Sequence, residues 1–175
     1  MSVGVKWGLL IGWAATLLFT MLAYSQRQLS PFDPQGILLH ASTDPMFDET
    51  VVQALKRQGV TAASIVHIST EDACYCDTLA QPHQTQLLAK LSTVDYRAVT
   101  LDLNKVPSLE KLIPSIPALI VIDNDYQLRY LGPYANGYGC VTGDTLVEAI
   151  SQYATKGIYP GAVINTEAKG CFCDA

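Results

Sequence analysis

The sequence predicts an α/β domain with a mixed central sheet flanked by helices, preceded by one N-terminal transmembrane helix. Three observations carry that expectation. Short apolar runs of strand length alternate with longer segments whose apolar residues recur every three or four positions, the pattern of strands joined by crossover helices. Asn124-Asp125 then joins two apolar runs with no helix between them, which adds an antiparallel pair. Finally, Trp7–Tyr24 is a stretch of 18 residues without a charge.

Composition narrows the class. The chain has 175 residues, 49% of them hydrophobic and 15% charged, which is ample for one core and excludes a disordered chain. Eleven Lys and Arg stand against 16 Asp and Glu, a net charge of -5 with no basic run, so nucleic acid is not an expected partner. The mean hydropathy of +0.20 is high for a soluble domain and comes from the first 25 residues.

Trp7–Tyr24 as a helix covers about 27 Å, close to the hydrocarbon thickness of a bilayer, with an aromatic ring at each end. Residues 1–25 are therefore expected to be an uncleaved anchor. A signal peptide cut after Ser25 is the alternative, with small Ala23 and Ser25 at the positions a peptidase needs. Either route exports the remainder of the chain. The expectation is a single-pass protein of the bacterial inner (cytoplasmic) membrane with its domain in the periplasm, where five cysteines can oxidise.

Residues 26–35 (QRQLSPFDPQ) are polar with two prolines and read as a linker. Gly36–Ala41 is an apolar run expected as a buried strand. Asp44 can cap a helix with Pro45 in its first turn and Phe47, Val51, Val52 and Leu55 inward, stopped by Gly59. Ala62–Ser69 is the second strand, and Asp77–Leu91 a helix broken by Pro82. Tyr96–Leu103 makes a third strand, Ser108–Ile113 a short helix, and Ala118–Asp123 a fourth strand that turns into Gln127–Leu131. Asp144–Tyr153 closes the expected domain, 36–155, as an amphipathic helix. The tail, 156–175, has no assigned structure.

Two clusters carry a resemblance. Cys74-Tyr75-Cys76 comes after the second strand with Pro82 eight residues beyond Cys74, and Ser115-Ile116-Pro117-Ala118-Leu119 opens the fourth strand. With Gly132 after the hairpin, these landmarks make the stretch from about Gly36 to Tyr153 resemble a thioredoxin-like domain, and the whole chain resembles uncharacterised membrane-anchored members of that superfamily. The resemblance implies a reactive cysteine at Cys74, at the junction of strand and helix, and a cis-proline at Pro117 shaping a substrate groove. It also departs from the usual pattern. The second thiol comes one residue early, at Cys76, and Asp77 stands where the family has its second cysteine. Ala73 replaces the aromatic residue, and Ile68 the buried acid.

A cysteine at a helix N-terminus is favoured as thiolate, while the flanking Asp72 and Asp77 oppose ionisation. A Cys74–Cys76 bond would need a tight turn, since the α-carbons of an extended i, i+2 pair lie near the outer limit of disulfide geometry. In the resembled fold Cys140, after the loop containing Tyr134 and Tyr138, would lie near Cys74. The tail carries a second Cys-x-Cys, Cys171 and Cys173, and residues 157–170 are long enough to bring it back to the domain.

Three functions stay open. The first is a thiol–disulfide oxidoreductase acting on protein thiols or disulfides, in which Cys74 attacks, Cys76 or Cys140 resolves, and Cys171 and Cys173 are accessory thiols. The second is a soft-metal site for copper or zinc built from Cys74, Cys76, Cys171 and Cys173, as in a copper-delivery protein. The third is a non-catalytic binding domain stapled by disulfides. No Gly-rich phosphate loop or nucleophile elbow is present, and no cofactor is expected. His40 and His67 are expected to pack within strands, and His83 to be exposed on its helix.

Overall fold

The computed structural model describes residues 2–27, 29–71, 74–137 and 144–175. It opens with α1 (Val3–Arg27), of which Val3–Tyr24 is long and apolar enough to cross a membrane. A short strand β1 (Ser30–Pro31) leads to α2 (Ile37–Ala41) and α3 (Phe47–Arg57). Then come β2 (Ser64–Ser69), α4 (Tyr75–Leu91), β3 (Arg97–Asp102) and α5 (Pro107–Glu110). Next in the chain are β4 (Ser115–Ile116), β5 (Ala118–Ile122), β6 (Leu128–Gly132) and α6 (Val147–Thr155). The tail adds β7 (Val163–Ile164), β8 (Lys169–Gly170) and β9 (Cys173–Asp174).

The main sheet has the order β3-β2-β5-β6-β7. β2 and β3 are parallel, β5 is antiparallel to both β2 and β6, and β7 runs parallel to β6. The mixed sheet expected from alternation plus hairpin is therefore present. Burial accounts for the unbroken apolar sequence of β5. Every residue from Ala118 to Ile122 is fully buried, with alternate side chains feeding opposite cores. Ala118, Ile120 and Ile122 join Val51, Leu55 and Leu109 in one core, while Leu119 and Val121 join Leu87, Leu91 and Ile150 in the other. Each large apolar side chain contributes about 1.5–3 kcal/mol on leaving water, so two helical layers are pinned to one central strand.

The expected strand over Gly36–Ala41 is a helix instead. Gly36 sits at φ 69°, a left-handed conformation suited to glycine, and the Leu39 N–H donates to Asp33 Oδ2 at 2.8 Å. Only Leu38 of the run is buried; Leu39 is 57% exposed. The sheet position beside β6 is filled by β7 from the tail. The segment read as a linker is also tied down, since Ser30 and Pro31 pair with Gly170 and Lys169 and Phe32 is fully buried. Pro82 lies within a continuous α4 rather than ending it.

Candidate functional site

Cys74 occupies the N-cap of α4 in extended conformation, and Cys76 lies in the first turn. From the other side of the cleft comes the tail. β9 pairs antiparallel with β4, Cys173 opposite Ile116 and Asp174 opposite Ser115. The next bond, Ile116–Pro117, is cis. Cys171 sits at a bend after β8, and Phe172 leads from it into β9. Phe172 lies against Phe32, ring centroids 5.2 Å apart in a T-shaped arrangement.

Two disulfides join the segments in antiparallel sense, Cys74–Cys173 and Cys76–Cys171, with α-carbons 6.6 and 5.3 Å apart. Cys76 is buried, and Cys74, Cys171 and Cys173 are half-buried. The sulfurs of Cys74, Cys76 and Cys173 all lie within 4.8 Å of one another, and that of Cys171 is bonded to Cys76. Four of the expected thiols therefore meet in one cluster beside Pro117. Cys76 and Cys74 are bonded to the tail rather than to each other. Cys140 and Tyr138, expected nearby, lie outside the described residues, as does Asp72.

Beneath the cluster runs a polar network that the sequence does not announce. His67, on β2, lies with Nε2 2.8 Å from Asp77 Oδ1 and Nδ1 3.1 Å from the Tyr134 hydroxyl, while Gln84 Nε2 is 3.1 Å from both ring nitrogens. Burial lowers the His67 pKa, outweighing the nearby Asp77 carboxylate that pulls it up. The ring is therefore neutral at pH 7. Nε2–H donates to Asp77, and Nδ1 accepts from Tyr134, whose own proton burial holds firmly. The effect is to fasten the first turn of α4 to the central sheet. A strand histidine and a first-turn acid are both visible in sequence, but only the packing of α4 on β2 brings them together. His83 is also not the exposed residue expected: it is 2% exposed, with Nδ1 3.1 Å from Thr145 Oγ1. His40 lies on α2, not in a strand.

Cys76, Cys171, Pro117, Tyr134, His83 and Phe172 help line a cleft of about 30 Å³, the size of one or two waters. The cleft is open to solvent on one side, beside the cysteine cluster.

Residues 43–175 match the model of DUF6436, a domain of unknown function. The chain belongs to the DUF6436 family. No curated protein and no solved structure matches it. The family match begins after α2 and includes both Cys-x-Cys motifs, so the whole disulfide cluster falls within the family's domain.

Proposed function

We propose that this protein is a membrane-tethered thioredoxin-like thiol–disulfide oxidoreductase acting on protein thiols outside the cytoplasm, anchored in the bacterial inner membrane and facing the periplasm. The single observation that carries the reading is the seat of Cys173. It is disulfide-bonded to the N-cap cysteine of α4 while its backbone pairs with the residue before cis-Pro117. The tail thus occupies the place a disulfide-linked partner strand would take. Two disulfides suit an oxidising compartment, and α1 is apolar enough for the anchor.

The exchange runs in two steps. A partner thiolate attacks Sγ of Cys74; the Cys74–Cys173 bond breaks and Cys173 leaves as a thiolate that takes up a proton. A second partner thiolate attacks its own sulfur in the mixed disulfide and expels Cys74 as a thiolate. The partner loses two electrons to become a disulfide, and the chain gains two as a dithiol. The α4 N-terminus stabilises the departing Cys74 thiolate, which speeds the second step. Reversed, the same steps reduce a partner disulfide. Cys76–Cys171, more deeply placed, is the adjacent pair that can re-form or exchange with the outer bond.

The test is a trap. In the full-length Cys173→Ser protein expressed in cells with intact oxidation machinery, the Cys74 thiolate can still attack a partner disulfide, the reverse of the second step, but Cys173 is no longer there to release it, and mixed disulfides with partner proteins should accumulate. They should vanish in the Cys74→Ser, Cys173→Ser double variant. Equal adduct levels in the two variants, or none in either, would rule the reading out.

A further inference from the structure

We infer that, once both disulfides are opened, Cys74, Cys76, Cys171 and Cys173 form a four-sulfur binding site for one thiophilic d10 cation, Zn2+ or Cu+. The site belongs to the reduced chain, so it is distinct from the exchange chemistry above and stands whether or not that chemistry occurs.

The sulfurs are already near the spacing a cation needs. Tetrahedral zinc–thiolate bonds of about 2.3 Å place neighbouring sulfurs nearly 4 Å apart. Three of the sulfurs lie within 4.8 Å of one another, and the fourth is bonded to one of them. Breaking the two S–S bonds frees all four sulfurs, and Cys171, released from Cys76, has only to close on the other three to complete the set. One Cys-x-Cys segment supplies its thiols from a helix N-terminus, the other from the tail, where Cys171 sits at a bend and Cys173 opens β9. A cation between them would be enclosed by four ligands.

Contacts other than sulfur–sulfur bonds hold the tail in place. Strand pairing flanks the cysteines: Lys169 and Gly170 pair with β1, and Cys173 and Asp174 pair with β4. Gly137 N–H donates to the Lys169 carbonyl, and Phe172 packs on the buried Phe32. Backbone and apolar contacts therefore keep the four thiols close when both disulfides are open. Four thiolates confined at this spacing repel one another, and a cation removes that repulsion.

Two equivalents of a dithiol reductant supply four electrons and four protons, opening both disulfides and leaving two reductant disulfides. Zinc then binds four thiols and releases four protons, so affinity rises with pH.

The experiment uses the full-length chain in detergent, reduced under anaerobic conditions, freed of reductant and titrated with Co2+ as the probe. One equivalent should develop the visible bands of tetrahedral cobalt together with intense sulfur-to-cobalt charge transfer. Zn2+ should displace the cobalt one for one, and the oxidised chain should show no bands. The Cys171→Ser, Cys173→Ser variant should lose the charge-transfer intensity. Because such a variant could lose metal by losing its fold, X-ray absorption on the zinc-loaded native chain counts ligands directly, with four sulfurs at about 2.3 Å expected. No cobalt bands, a break point other than one, a sulfur count of two or fewer, or bands undiminished in the tail variant would overturn the inference.

Discussion

Burial and charge act on His67 in opposite directions, and burial prevails. That balance sets the sign of its effect on stability. The unfolded imidazole titrates near 6.5, whereas the folded ring resists protonation to a lower pH. Between those two values the unfolded chain holds a proton that the folded chain refuses, so stability is lost as pH falls through that window. Above it the group contributes no pH dependence. His83, also lowered by burial, adds a slope of the same sign. Denaturant unfolding should therefore shift to lower urea as pH falls below about 6.5, and His67→Gln should flatten the profile while keeping a hydrogen-bonding side chain on Asp77. An identical slope in the variant would mean that other groups set the acid limit. The same residue shows where sequence reading stops. Its place within a strand is legible, but in sequence its partner Asp77 is only a charge opposing thiolate formation. Nothing in the spacing of residues 67 and 77 says that one points at the other; the angle of α4 across β2 decides it.

The tail elements work by filling space that a side chain would obstruct. A β-carbon added at Gly170 would lie 2.9 Å from Phe172 Cζ and 3.0 Å from the Gly137 carbonyl oxygen. The first contact belongs to a ring wedged against Phe32, and the second is backbone, so neither yields easily. Gly170→Ala should cost about 1–3 kcal/mol, the usual range for overpacking, and should loosen β8 from β1. Its outer disulfide should then be reduced faster by dithiothreitol than that of the native chain; an unchanged rate would mean that the tail is held by its sulfurs alone. Elements of this kind also mark the limit of legibility. β2, β5, α3 and α4 are long enough for a period to appear, and their expected positions agree with the fold to within a few residues. β7, β8 and β9 have two residues each, too few for any period, and they are specified by edges that other parts of the chain leave open. Gly36–Ala41 departs from expectation for the related reason that an apolar run does not say which of its residues turn inward. The four-cysteine cluster lies between these cases. Each member is visible in sequence, and two Cys-x-Cys motifs facing in opposite directions can pair first with last, but only the path of the tail selects that pairing.

Across the whole molecule the two disulfides are nested, one spanning 99 residues of sequence and the other 95. Either alone closes a loop of about 100 residues and, in the chain-entropy account, stabilises by about 5 kcal/mol. With one in place, the other closes only the small ring formed by residues 74–76 and 171–173, for about 2 kcal/mol. The costs of removal should therefore be strongly non-additive. Cys74→Ala with Cys173→Ala, or Cys76→Ala with Cys171→Ala, should each cost about 2 kcal/mol in urea unfolding of the full chain in detergent, and all four together about 7. If the bonds in solution were instead local, Cys74 with Cys76 and Cys171 with Cys173, either pair of substitutions would already break both small rings, and removing all four cysteines would cost no more than removing two. The expected coupling bears on function. A chain that needed only stapling would gain far more from two separate loops than from two concentric ones. In the nested arrangement one bond holds the tail while the other opens, so the exchange proposed for the outer Cys74–Cys173 pair would cost only about 2 of the roughly 7 kcal/mol that the two bonds provide together.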